Sequence, residues 1–254
     1  MKRPVFLDYS EVFELNVNLD IKIEKVGEME VVIIDNFYKN PEMVRDLILN
    51  IPATNIQSVT GGTQGYRTQA SLDLTNLSKI WHYLSTTIYP HARGWSFDSV
   101  YNCFNYCNFN SNILTFKEQV NNRTHSWGVP HVDGDYEDVI SNGDEMIKDM
   151  GGLAGIVYLN TPEECAGGTS FYSFDGKQTV DQNSRPDVLY KNDKEPFDGW
   201  VQGSCGDWKL LNTVEMKWNR FIMYPNWILH HPDIKEEMNF DGSPIYRINQ
   251  ILFP

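Results

Sequence analysis

The sequence has little cysteine, and none of it is spaced for metal. Four residues of 254 are cysteine (Cys103, Cys107, Cys165 and Cys205), and no two form a Cys-x-x-Cys pair. A structural zinc site and a disulfide framework are therefore disfavoured, and buried thiols in a reducing compartment are expected. Cys103 and Cys107 would share a helical face, but the aromatic residues around them read as a strand. No apolar run is long enough to span a bilayer. Met1-Lys2-Arg3-Pro4 leads into acidic and polar residues rather than the apolar core of a signal peptide. A cytoplasmic protein without membrane contact is expected. Basic charge is also scarce: 21 Lys and Arg stand against 34 Asp and Glu, a formal net charge of -13. The basic residues are scattered singly, with no stripe to neutralise phosphates, so nucleic acid is not expected as the partner. The acidity reads as a solubility feature. Internal repeats and low-complexity tracts are absent.

What is present is ordinary globular material, 41% hydrophobic and 13% aromatic, enough to bury a substantial core. Val31-Val32-Ile33-Ile34 is a β-branched run ending at an Asp35-Asn36 turn, which predicts a strand. Asn40-Pro41 has the form of a helix N-cap with proline at the first helical position. Met43, Val44, Leu47 and Ile48 then give an apolar stripe that stops near Ile51-Pro52. A second helix is predicted from Leu72 to about Tyr89, closed by Pro90. From residue 99 the pattern becomes short strands between turns: 100–109, 155–159, 169–174, 221–224 and 247–253. Helices first and strands after predict one α+β domain over 1–254, with a mixed support region (1–98) buttressing a jelly-roll core (99–254). The polar stretch 175–207 is long for a connection, which marks it as functional or mobile.

Three motifs carry chemistry. In a strand, residues two apart face the same side, so His131-Val132-Asp133 aims an imidazole nitrogen and a carboxylate oxygen at one point. The segment Tyr224-Pro225-Asn226-Trp227-Ile228-Leu229-His230-His231 follows an apolar strand and can return a histidine to that point. Two His and one carboxylate form the facial triad of non-haem Fe(II) sites. Arg247 opens the apolar strand Tyr246–Phe253, where a buried cation is costly without a partner, and a guanidinium can grip a carboxylate with two hydrogen bonds. Each motif also has a plainer reading. These are a turn with solvated Asp133 and Asp135, a capping His pair before Pro232, and an arginine paired with a carboxylate of the protein. Their order along the chain adds what each lacks alone.

In that order the motifs resemble the prolyl-4-hydroxylase-like branch of the 2-oxoglutarate/Fe(II) oxygenases, and within it a bacterial and phage group. Tyr158-Leu159-Asn160 with Gly167-Gly168-Thr169-Ser170-Phe171 is similar to one family segment. Lys217–Phe221 leading into Tyr224-Pro225 is similar to the strand before the distal histidine. Asp35-Asn36-Phe37 and Gly65–Thr68 resemble further parts, and the likeness covers roughly residues 30–254. It implies a double-stranded β-helix (jelly-roll) core. It implies iron held by His131, Asp133 and His230, with His230 rather than His231 favoured by its spacing from Pro225. It implies 2-oxoglutarate held by Arg247, with Tyr106 or Tyr101 near that co-substrate and Asn105 a weaker candidate. An inserted hairpin at Asn239–Pro244 accounts for the long His230–Arg247 spacing. The implied activity consumes O2 and 2-oxoglutarate and hydroxylates a C–H bond of an amino-acid or peptidyl side chain, releasing succinate and CO2. The competing readings are a non-enzymatic metal-binding jelly-roll module, a zinc or manganese hydrolase or isomerase, and a nucleic-acid-directed oxygenase. Trp127, Trp200, Trp208 and Trp227 are candidates for a pocket lining or for the core.

Overall fold

Two antiparallel sheets and two helices make up the described part of the chain. A computed structural model describes residues 9–50, 54–55, 66–67, 101–107, 130–133, 153–178, 201–233 and 247–253. The strands are β1 (Asp20–Val26), β2 (Met29–Asp35), β3 (Thr54–Asn55), β4 (Tyr66–Arg67), β5 (Tyr101–Cys107), β6 (Leu153–Tyr158), β7 (Gly168–Phe174), β8 (Trp208–Glu215), β9 (Phe221–Pro225), β10 (His230–Asp233) and β11 (Arg247–Phe253). The helices are α1 (Tyr9–Val12) and α2 (Pro41–Asn50). The larger sheet runs β1-β2-β9-β6-β11-β5-β4-β3 and the smaller β10-β7-β8. The fold is thus a β-rich α+β arrangement. No helix among the described residues is long and apolar enough to cross a membrane.

The period-2 alternation of the strands gives the larger sheet two working faces. On one, Val32, Ile34, Val157, Phe221, Met223, Ile248 and Leu252 bury against Phe13, Phe37, Tyr38 and Val44 from the N-terminal segments. On the other, Ala154, Ile156, Tyr158, Ile222 and Tyr224 meet Phe171 and Val214 of the smaller sheet. The helix start is as the Asn40-Pro41 signal implies: the Asn40 carbonyl accepts from the amides of Met43 and Val44. Val44 is buried and Leu47 packs on the first cluster, but Met43, expected on the same stripe, is 45% exposed.

The ends of β2 and β9 are tied together by side chains. Asn36 and Asn219 both hold left-handed backbone, at φ 56° and 58°, a conformation asparagine tolerates better than most residues. The buried Asn219 amide accepts from the Tyr38 amide and donates to the Tyr38 carbonyl, both at 2.8 Å. Beside it the buried Asp35 carboxylate takes Arg220 Nε at 2.6 Å and Lys217 Nζ at 2.7 Å. The bond from Arg220 leads the interactions that hold the Asp35 carboxyl at about 2, against a smaller opposing effect of burial.

Several expectations resolve differently. His131-x-Asp133 does not lie on an extended strand: His131 makes a single bridge to His230. Cys165 and Cys205 are free but only half-buried, not fully enclosed; burial still pushes the Cys165 thiol up to about 11. Strand β8 arises at the edge of and beyond the polar stretch, of which residues 179–200 lie outside the described residues. So do the expected helix Leu72–Tyr89 and the Asn239–Pro244 hairpin.

Candidate metal centre and its neighbouring cation

His230 opens β10, which pairs with β7 so that His230 lies opposite Phe171. His131 adds itself to the free side of β10: the His131 amide donates to the His230 carbonyl and the His230 amide to that of His131, both at 2.9 Å. Two residues on, the Asp133 amide donates to the Asn226 carbonyl at 2.8 Å, fixing the short segment at both ends. These backbone bonds bring three side chains together. Asp133 Oδ2 is 3.1 Å from His230 Nε2 and Asp133 Oδ1 is 3.5 Å from His131 Nε2. The imidazoles lie 4.6 Å apart at 49°. His131, Asp133 and His230 form the one group of three potential metal-ligating side chains among the described residues, with their ligand atoms all within 4.8 Å.

The donor set fits a divalent transition metal. His230 Nδ1 is 3.0 Å from the Ile228 carbonyl oxygen. A carbonyl can only accept, so Nδ1 carries the proton and Nε2 presents its lone pair to the cluster, the arrangement that orients a ligating histidine. In the metal-free protein a carboxylate oxygen and a nitrogen lone pair then face each other at 3.1 Å, which calls for a cation between them or a proton on the ring. The electrostatics agree. Burial opposes ionisation of Asp133, yet the charge of His230 and bonds from both histidines hold its carboxyl well below the usual range. Burial likewise works against charged His230, but Asp133 raises it overall. His231, the next residue, is buried and outside the group, because neighbours along a strand face opposite ways.

Arg247 begins β11 on the face turned to the smaller sheet, next to Ile248, which faces the other cluster. It is 3% exposed. Nη2 donates to the Gly168 carbonyl at 2.9 Å and the guanidinium lies 5.5 Å from the centre of the Tyr158 ring. Among the described residues Nη1 has no hydrogen-bond partner, and none of them gives Arg247 an ion pair. Gly168 is where Arg247 touches β7, three residues before Phe171 and thus about 10 Å along the strand from the His230 level. A side chain at Gly168 would run into the β8 backbone at Val214, so glycine is what lets β7 and β8 close up there.

The neighbouring motifs now have mechanical roles. Asn160 Oδ1 accepts from the Ile248 amide at 2.8 Å, clamping the chain beside Arg247. The Tyr158 hydroxyl bonds Thr169 Oγ1 at 2.6 Å. The Tyr224 ring lies 4.9 Å from that of His230. Burial keeps the phenols of Tyr158 and Tyr224 protonated, and Tyr224 senses Asp133 and Arg247 together. Asn249, two residues from Arg247 on the same face, is 5% exposed with Oδ1 unpartnered among the described residues. In the sequence Tyr158 and Tyr224 stand only as motif letters, with no role of their own. Tyr106 and Tyr101, the expected co-substrate tyrosines, pair with Ile248 and Phe253, and their side chains lie outside the described residues, as does that of Asn105. Trp208 belongs to a third core cluster and Trp227 packs on the second.

Residues 112–246 match the model of a family of unknown function, DUF6445. A search of curated proteins finds no match. Among solved structures, a prolyl 4-hydroxylase from Phytophthora capsici aligns with 14% identity and a TM-score of 0.42 over 88% of this chain. The aligned region spans 57% of that protein's length. HygX from Streptomyces hygroscopicus, with nickel and 2-oxoglutarate bound, aligns with 10% identity and a TM-score of 0.43 over 88% of this chain and 81% of its own.

Proposed function

We propose that this chain, which belongs to the DUF6445 family, is a non-haem Fe(II)- and 2-oxoglutarate-dependent oxygenase whose two sheets form a jelly-roll. The observation that carries the reading is Arg247. Its buried guanidinium has a nitrogen unpartnered among the described residues, and it is anchored to β7, the strand that also pairs with the metal-group histidine. A bare metal-binding module has no use for such a cation. An anionic co-substrate that reaches the metal with one end and Arg247 with the other makes use of both.

In this reading His131, Asp133 and His230 hold the iron and leave positions open on one side of it. When bound, Fe(II) and 2-oxoglutarate supply the oxidising chemistry with O2 that hydroxylates a C–H bond, with succinate and CO2 released. The protein's part is positional. The Ile228 carbonyl fixes the His230 tautomer. Asp133 contributes the single negative charge of the ligand set. Arg247 Nη1 donates to the distal carboxylate while Nη2 stays anchored on Gly168. The aromatic faces of Tyr158 and Tyr224 keep water from the space between. The substrate is an amino-acid or peptidyl side chain, and the whole chain acts as a single domain. Support for the iron set is the convergence of three ligand atoms within 4.8 Å.

The test is anaerobic addition of 2-oxoglutarate to the Fe(II)-loaded protein, followed by the visible metal-to-ligand charge-transfer band, and then succinate release on admitting oxygen. A band that forms with 2-oxoglutarate but not with succinate supports the reading. Iron binding with no such band reduces the protein to a metal module.

A further inference from the structure

Among the described residues β1 is one of the two outer strands of the larger sheet, β3 being the other, and six of the seven β1 residues are exposed. Ile21 and Ile23 are 38% and 51% exposed on this strand. Open edges of this length are normally blunted, because their free N–H and C=O groups invite pairing. The turn that joins β1 to β2 fixes the direction of those groups. Val26 and Met29 flank a two-residue turn, and Gly27 at φ 62° with Glu28 outside the left-handed region makes it type II′. Val26 and Met29 are then a hydrogen-bonded pair. The backbone groups of Asp20, Lys22, Glu24 and Val26 turn to β2, and those of Ile21, Ile23 and Lys25 turn outward.

An outward residue must meet an outward residue, which leaves three antiparallel self-pairings that keep most of β1 in register. Centred on Lys22, the pairing sets Lys22 on Lys22 and Asp20 on Glu24. Centred on Glu24, it sets Glu24 on Glu24. Centred on Ile23, it uses the whole strand and sets Lys22 on Glu24, Glu24 on Lys22, Ile23 on Ile23, and Ile21 under the aliphatic stem of Lys25. Only this last register has no like charges opposed, and it covers the exposed isoleucines. We propose that β1 is a homodimerisation edge, two copies joining β1 to β1 across a two-fold axis at Ile23 so that the larger sheet continues from one copy into the other.

The charge pattern makes the proposal testable without touching the core. In Lys22→Glu, the introduced carboxylate faces Glu24 of the second copy; in Glu24→Lys, the introduced ammonium faces Lys22 of the second copy. Each variant should dimerise about tenfold or more weakly than wild type. An equimolar mixture of the two pairs every acid with a base and should restore the dimer, as should the double variant alone. The measurement is light-scattering mass over a dilution series of the full chain, between 29.4 kDa and twice that value, with circular dichroism confirming that each variant is folded. A wild type that stays at 29.4 kDa throughout, a Lys22→Glu variant that dimerises undiminished, or a mixture that stays monomeric each overturns the proposal.

Discussion

Arg247→Met separates what Arg247 does for the fold from what it does for a ligand. Methionine keeps the apolar stem of the side chain but has no charge. The folded protein loses the Nη2–Gly168 bond, a charge-assisted bond worth roughly 1.5–3 kcal/mol, and the contact with Tyr158, about 0.5–2 kcal/mol. It is relieved of a buried cation whose Nη1 is unpartnered among the described residues, a desolvation cost of several kcal/mol. The opposed contributions nearly cancel, so the melting temperature should move by only a few degrees, at about 2–4 °C per kcal/mol for a chain of this size. Ligand binding has no such cancellation. Loss of one charge-assisted bond to a carboxylate lowers affinity about tenfold to a hundredfold. The assay is the anaerobic titration with 2-oxoglutarate, alongside a thermal melt and an iron titration. Arg247→Lys should recover part of the affinity, since it keeps the charge but not the fork. Unchanged 2-oxoglutarate affinity in a folded Arg247→Met protein would refute the role given to Arg247.

Other outcomes are expected on the same grounds. His230→Ala should abolish tight Fe(II) binding while His231→Ala retains it, measured by equilibrium dialysis; the reverse result would shift the ligand by one residue. In the metal-free protein the raised His230 contributes stability that is fully present below about pH 6.5, its unfolded value, and is lost as pH rises through the folded value. Urea unfolding of wild type against His230→Gln should therefore show an advantage near pH 6 that shrinks as the pH rises past about 6.5 through the folded value. Asp35 has the opposite sign. Its carboxyl is held at about 2, so its contribution is present above about pH 4 and lost on acidification through the folded value. Asp35→Asn should cost about 2–3 kcal/mol at neutral pH and nearly nothing at about pH 2 in chemical denaturation.

The sequence was most legible where one physical demand dominates. Val31–Ile34 and 247–253 read as strands because buried β-branched residues leave little alternative, and both are strands in the structure. Asn40-Pro41 marked its helix start because capping is a local interaction. Strand β1 was missed because Asp-Ile-Lys-Ile-Glu-Lys-Val has no buried face to announce it; its order comes from pairing with β2. Strand β8 was missed because its exposed positions (Lys209, Glu215) blend into a polar stretch. His131, Asp133 and His230 stand out by residue type and spacing, and the structure brings them together. What the sequence could not convey was how. The convergence depends on one bridge between His131 and His230 and on an amide held by Asn226, contacts between segments about a hundred residues apart. The same holds for the tyrosines. Tyr158 gains its place beside Arg247 only through the β6–β11 register, which no local pattern records.

That interleaving of distant segments also governs how fast the molecule can be made. β11 is hydrogen-bonded between β5 and β6, and β2 finds its inner neighbour in β9, nearly two hundred residues later. Of the pairings in the larger sheet, β1–β2 has a two-residue turn. Closing a loop the length of the β2–β9 connection costs roughly 4 kcal/mol more conformational entropy than such a turn, on ideal-chain scaling, and it must be met before the Asn219–Tyr38 and Asp35–Arg220 bonds can form. Nucleation of the central sheet is therefore non-local and slow. Until β9 docks, the strand Val31–Ile34 is an apolar, charge-poor segment with one edge unpaired, so the growing chain's main hazard is association through β2, well away from His131, Asp133 and His230.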